Sequence, residues 1–499
     1  MNDGPVHIQF VLVSHTNSGK TTLARTLLGL DIGEVRDAAH VTTMSESHTL
    51  LRSTCADTLS LWDTPGFGDS VRLLKRLGMS DNPLGWFLRE LLDRYRDRSF
   101  WLSQQALRAA RDSADVVLYL VNASEDPGDT GYLASEMGIL EWLKKPVLVL
   151  LNQMGPPLPG PQAGREEERW RRHLKRYPMV RDVLALDAFA RCWVHERVFY
   201  EAVAKLVDAP RSAGYARLLA TWESNNQQRF AAAMRLTSLL LVAAALDQQA
   251  FEPRKRSRIK SALQAVGLAE EDDEHRGKQA MNSLVERLDR NIGETTRQLL
   301  LLHKIEPGEA ARINARVQKN FVVRAPVDKA QAGLLGAVIS GAATGLTTDL
   351  VSGGLTMGAG ALLGGVLGAL TFAGAAWGFN SMTDRSQPSV RFTHEFMREL
   401  LASSILRYLT IAHFGRGRGN FEEGEAPTFW RQEVESAVAA EDDRLLHGWR
   451  TLPAETGLDG ACDLLTPIVT RIATRTLGRL YPDAFRDKGP EWNAIFPSG

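Results

Sequence analysis

Cysteine is scarce in this 499-residue chain: Cys55, Cys192 and Cys462 are the three present, and they lie far apart. That scarcity excludes a disulfide framework and a cysteine-based structural zinc site, and it fits a reducing compartment. Net charge is also lacking, because 59 Lys and Arg offset 59 Asp and Glu. No global field draws the chain toward nucleic acid, so no nucleic-acid partner is expected. The histidines show no metal-ligand spacing, and no internal repeat of fixed period is visible. Met1 to Val6 lack the basic and apolar regions of a secretory signal, so the first domain is expected in the cytoplasm. Charge is almost missing from Ala330 to Asn380, where Asp349 stands alone.

What is present begins with a strand, a loop and a helix. Ile8 to Val13 is an apolar run, Ser14 to Gly19 is small and polar, and Leu23, Leu27 and Leu28 start a helical period. Backbone N–H groups in such a loop, with the positive end of the following helix, make a concave anion site. His15, Thr16, Asn17, Ser18, Gly19, Lys20, Thr21 and Thr22 are the candidate phosphate-binding residues. Lys20 adds a point charge, and the Thr21 hydroxyl suits a magnesium ion bridging the outer phosphates. Ser14 stands where the motif G-x-x-x-x-G-K-[ST] has its first glycine.

A hairpin of two strands, Thr49 to Ser53 and Thr58 to Trp62, runs into Asp63-Thr64-Pro65-Gly66. Asp63 can hold magnesium through water, and Gly66 lets a backbone N–H approach the terminal phosphate. Thr43, in the loop before the hairpin, is the candidate to close over the metal and take part in catalysis with Lys20. Val116 to Val121 and Val147 to Leu151 read as central parallel strands with a helix from Tyr132 to Lys144 between them, and Val180 to Leu186 reads as the last strand. Strand and helix alternation implies a doubly wound α/β sheet with its ligand beyond the strands' C-terminal ends. After Leu186 no strand alternation is convincing, and the remainder apart from the Gly/Ala-rich stretch reads as mainly helical.

These elements resemble the translation-factor-related branch of GTPases, of the Era and TrmE kind, over roughly Val6 to Leu206. They are also similar to a bacterial GTPase family with a C-terminal helical domain of unknown function. Ser14 to Thr21, Gly33-Glu34-Val35 and Asp187-Ala188-Phe189-Ala190-Arg191 match motifs of that family. The resemblance implies GTP as ligand, with Asp187 and Ala188 offering backbone groups to the base. Asn17 matches an asparagine that helps coordinate potassium, whose charge can substitute for an arginine finger. Phe67 stands where many small GTPases carry a water-orienting glutamine, which implies slow intrinsic hydrolysis unless potassium, a homodimer or a protein partner supplies the missing group. Asn152-Gln153-Met154-Gly155 replaces the usual Asn-Lys-x-Asp, and Gly155 has no side chain to accept from guanine, so ATP stays open.

Within residues 330–380, Gly341 and Gly345, Gly354 and Gly358, and Gly360, Gly364 and Gly368 recur at four-residue spacing. That spacing permits close helix packing of the kind found in membranes. Arg324 and Lys329 before it, and Arg385 and Arg391 after it, put both ends of a hairpin on the cytoplasmic side. Its first arm, Gln331 to Thr348, would reach only about 27 Å. It therefore spans a membrane barely, inserts conditionally, or is buried in protein. The expected organisation is a GTPase domain over 1–208, a helical domain over 209–329, a membrane-active hairpin over 330–380 and a helical region over 381–499. The expected role is a GTP-dependent switch at the inner face of the cytoplasmic membrane, with lipid as a partner. The alternatives are a nucleotide-gated scaffold and a membrane-remodelling NTPase.

Overall fold

The computed structural model describes residues 4–15, 18–28, 46–64, 66–67, 69–78, 97–153, 164–186, 192–250, 271–305, 389–413, 428–451 and 457–485. Thr16, Asn17, Thr43, Gly33 to Val35, Asp187, Ala188 and the 330–380 stretch lie outside the described residues. The chain divides into two compact units, one built on Met1–Gln228 and the other on Arg229–Ile411 with Glu425–Gly499.

The first unit is a six-stranded sheet in the order β2-β3-β1-β4-β5-β6. Its strands are β1 (His7–Ser14), β2 (Glu46–Arg52), β3 (Thr58–Asp63), β4 (Val116–Asn122), β5 (Val147–Asn152) and β6 (Val180–Ala185). β1 runs parallel to β3 on one side and β4 on the other, while β2 is an antiparallel edge strand joined to β3 by a tight turn. Every residue of β4 from Val116 to Val121 and all of β5 are buried, as the unbroken aliphatic runs require of strands covered on both faces. The helices are α1 (Lys20–Leu28), α2 (Ser70–Gly78), α3 (Arg98–Ser113), α4 (Leu133–Leu143), α5 (Arg165–Leu174) and α6 (Trp193–Ala204). Parallel strands and the register Leu12 to Asp63 and Asn122 to Asn152 bring Ser14, Asp63 and Asn152 to one edge of the sheet.

The opposite edge is fastened to helix α7 (Ala209–Leu246), whose first 20 residues belong to this unit. Asp57, in the turn before β3, is fully buried. Its carboxylate accepts a two-pronged contact from Arg217 at 2.7 and 2.8 Å, the Ser53 hydroxyl at 2.6 Å and the Val6 N–H at 3.0 Å. Asp115, just before β4, accepts from the Gln9 N–H at 2.8 Å and pairs with Arg211. Gly214 lets the helix come this close, since a Cβ there would meet the Val6 side chain at 2.0 Å. The unit runs to Gln228, inside a continuous helix.

The second unit is mainly helical, with the rest of α7, α8 (Glu271–Leu302), α9 (His394–Ala412), α10 (Thr428–Ala439), α11 (Asp442–Thr451) and α12 (Gly457–Leu480). Two short strands interrupt the helices without any visible alternation in the sequence. Gln248–Ala250, as β7, pairs antiparallel with β8, Ser389–Arg391. Arg287 of α8 braces this pair by bonding Asp247 at 2.9 Å and Gln249 at 3.1 Å. Three-residue strands so distant in sequence leave neither an alternation nor a hairpin signal to read. Among the described helices, α7 alone is long and apolar enough to cross a membrane, and half of its apolar window is buried within the protein, as in a core helix.

Arg217, foremost, together with Ser53 and the Val6 N–H, holds the Asp57 carboxyl well below the usual carboxylate range. Removing the guanidinium leaves a buried carboxylate uncompensated, so Arg217→Ala should cost about 2 kcal/mol, discounted because the arginine is partly exposed. A depressed folded pKa contributes stability above the unfolded pKa and loses it as pH falls. The deficit of Arg217→Ala in urea unfolding should therefore be constant from about pH 5 to 8 and shrink below about pH 4.

Candidate functional site

The polar residues gathered at the sheet edge form a cradle around Gly19. That residue has φ +89°, in the left-handed region that glycine tolerates. A Cβ there would meet the Asn152 amide nitrogen at 2.6 Å. The same amide donates to the Ser18 carbonyl at 2.9 Å, tying the end of β5 to the loop after β1. α1 then begins, with the Leu23 N–H bonded to the Gly19 carbonyl at 2.9 Å. Ser14 has no positive φ, so its backbone does not demand the glycine of the motif. Its hydroxyl accepts from the Lys20 ammonium at 2.9 Å and donates to the His15 carbonyl at 2.5 Å, while the single Ser18 hydroxyl proton is within reach of both of those oxygens.

Lys20 is buried, and burial lowers its pKa, against the charges of Asp63 and Glu136, which raise it. Thr21 donates its hydroxyl to Asp63 at 2.7 Å, so the two residues expected to hold magnesium lie side by side. Their oxygen donors are of the hard type that Mg2+ takes, and the donor set therefore fits that ion. Among the described residues no group of three or more His, Cys, Asp and Glu side chains could hold a metal by itself. Thr22 is buried on α1, where its carbonyl accepts from the Thr26 hydroxyl at 2.9 Å. Gly66 directs its carbonyl at the Ser103 hydroxyl, 3.4 Å away. Phe67 turns its ring into the core, 6.4 Å from the Tyr119 ring, and its N–H donates to the Ser14 carbonyl at 3.0 Å. The structure thus brings together His15, Ser18, Gly19, Lys20, Thr21, Asp63, Gly66 and Asn152, and it places no water-orienting side chain at position 67.

Sequence reasoning missed the partners of His15. Its ring is stacked on Tyr132, with centroids 3.9 Å apart, and its Nδ1 lies 2.7 Å from the carboxylate of the buried Glu136. One signal was available: Glu136 is an acid on the apolar stripe of α4, beside Leu133, Met137 and Leu140.

Residues 171–461 match the family model described as a domain of unknown function, DUF3482. The chain belongs to the DUF3482 family. Residues 9–153, which precede most of the DUF3482 region, match the model described as a 50S ribosome-binding GTPase, and the first unit has the fold of a P-loop GTPase domain. The chain is similar to a crystal structure of Aquifex aeolicus Era bound to GDP and aluminium fluoride, at 20% identity over 41% of this chain and 57% of that one, with a TM-score of 0.28. It is also similar to Era in complex with MgGDPNP and nucleotides 1506–1542 of 16S ribosomal RNA, at 20% identity over 37% and 51% of the two chains, with a TM-score of 0.26. Toc33 from Arabidopsis thaliana in complex with Mg2+ and GMPPNP is matched at 12% identity over 38% and 73%, with a TM-score of 0.24. The chain spans little more than half the length of the Era chains it matches. Likenesses of this size carry no functional argument. Comparison with the curated proteins gives no match.

Because the Asn152 amide bonds to the loop carbonyl, Asn152→Ala should weaken binding of GTP and of inorganic tripolyphosphate alike. A loss of about tenfold is expected from one buried hydrogen bond, measured by calorimetric titration of each ligand.

Proposed function

We propose that this chain is a slow, magnesium-dependent GTPase of the Era and TrmE kind, acting as a nucleotide-dependent switch. The observation that carries the reading is the convergence of Lys20, Thr21 and Asp63 on one loop, with the Thr21 hydroxyl 2.7 Å from the Asp63 carboxylate. Magnesium, when bound, would neutralise charge on the outer phosphates. Thr21 would hold it directly, Asp63 through water, and Thr43 from the segment that precedes β2. Lys20 would exchange its bond to the Ser14 hydroxyl for the terminal phosphates. Water attacks the terminal phosphorus, the bond to the bridging oxygen breaks, and GDP and inorganic phosphate leave.

The burial of Phe67 supports slow turnover, since the side chain at that position cannot orient the attacking water. Asn17, with a bound potassium ion, would supply the missing charge stabilisation, as could a second copy or a protein partner. Guanine is the preferred base, with the backbone at Asp187 and Ala188 as its contacts and Asn152 holding the loop beside them. The four-residue glycine spacing within 330–380 supports a hairpin that carries the switch to lipid at the inner face of the cytoplasmic membrane.

Lys20→Ala should abolish saturable GTP binding and phosphate release, and a wild-type chain that binds neither GTP nor ATP would overturn the central reading. Potassium should raise the hydrolysis rate of the wild type about tenfold over sodium and leave Asn17→Ala unchanged; equal rates in all four conditions would remove Asn17 from the mechanism. After a carbonate wash the full chain should stay with the membrane pellet, and its release would exclude an integral hairpin.

A further inference from the structure

Beneath the phosphate loop lies a set of polar side chains that hydrolysis leaves unused. Glu136 of α4 has no exposed surface. Its carboxylate meets His15 Nδ1 at 2.7 Å and accepts from the Tyr119 hydroxyl of β4 at 2.6 Å. The His15 ring lies flat on Tyr132, at an interplanar angle of 12°. Tyr132 donates to Glu125, and the carbonyls of Glu125 and Ala123 receive Arg169 of α5 at 2.8 and 3.1 Å. Elements from β4 to α5 thus converge on one side chain of the phosphate loop.

Burying a carboxylate is costly, and a partnered buried acid is seldom more stable than an apolar pair of the same shape. Burial pushes the Glu136 carboxyl up, while the bonds from His15 and Tyr119 and the charge of Lys20 pull it down. Burial likewise pushes the Tyr119 and Tyr132 hydroxyls up, so both remain protonated donors. What the acid supplies is direction. The His15 carbonyl accepts from the Ser14 and Ser18 hydroxyls at 2.5 and 2.8 Å, and the Ser14 hydroxyl in turn accepts from Lys20 at 2.9 Å. The setting of His15 therefore reaches the phosphate-binding lysine in two hydrogen bonds.

We propose that Glu136 is a positioning residue of the nucleotide site, holding His15 so that the phosphate loop keeps the shape that receives a triphosphate. The proposal rests on the reading of this loop as a GTP site. It separates two properties that a purely structural residue would link, namely fold stability and nucleotide affinity.

The test uses the full chain with Mg2+ and a fluorescent N-methylanthraniloyl GTP, and Lys20→Ala as the non-binding control. The double variant Tyr119→Phe with Glu136→Leu removes the buried polar pair without leaving a hydroxyl unpaired. It should melt no lower than wild type yet bind about tenfold more weakly. His15→Ala should bind about tenfold more weakly too, and adding it to the double variant should cost nothing further. Glu136→Gln, which keeps a partner for both neighbours, should stay within about threefold of wild type. Wild-type affinity in His15→Ala, or losses that multiply when the variants are combined, would overturn the proposal; His15→Ala decides even where the double variant fails to fold. A wild-type chain without saturable binding would instead overturn the nucleotide reading itself.

Discussion

The carboxamide of Asn152 reaches from the end of β5 to the Ser18 carbonyl, and the space it fills is space that any side chain at position 19 would need. Through this wedge the sheet dictates the loop. β5 is buried along its whole length and fixed in register to β4, so its last residue has little freedom. The Ser18–Gly19 end of the loop is held by that strand, and the helix that follows starts with Lys20 bonded to Ser14 and Thr21 to Asp63. The amide acts on the backbone of the loop whichever base is bound. That role survives the loss of the aspartate that normally stands three residues later, because it requires only a planar amide at the strand end.

Ser14 shows how a departure from a motif can be absorbed. In a site whose lysine is buried, the ammonium needs an oxygen at all times. The Ser14 hydroxyl provides one at 2.9 Å, and a glycine could not. Since the backbone at this position is not left-handed, the serine brings an acceptor without conformational strain.

Most of the first unit was legible because its strands are long, aliphatic and bounded by polar loops, and because Asp63 and Lys20 sit where two such strands stop. Strand β4 begins at the expected Val116, and α4 departs from the expected Tyr132 to Lys144 by one residue at each end. Long-range pairing was not legible. β7 and β8 are three residues each and pair across a long stretch of sequence. The partnership of His15 with Glu136 was hidden for a related reason: the two are 121 positions apart. Periodicity assigns a helix face, not which loop side chain will meet it. The reach of the sheet unit into α7 escaped notice because Arg211 and Arg217 look like solvated charges until Asp115 and Asp57 are set opposite them.

Those two arginines decide what a separable GTPase fragment of this chain would be. Cutting at residue 208, where the connector precedes α7, discards both guanidinium groups. It leaves the carboxylate in the turn before β3 without its guanidinium partner, and another likewise at the foot of β4. The fragment would carry every phosphate-binding residue and still be an impaired protein, strained at the edge of the sheet farthest from its ligand. Extending the fragment by one helix segment, to Gln228, restores both counter-ions and the seat of Tyr215 on the Tyr200 carbonyl. In this chain the sheet unit is therefore finished by the first half of the helix that leaves it.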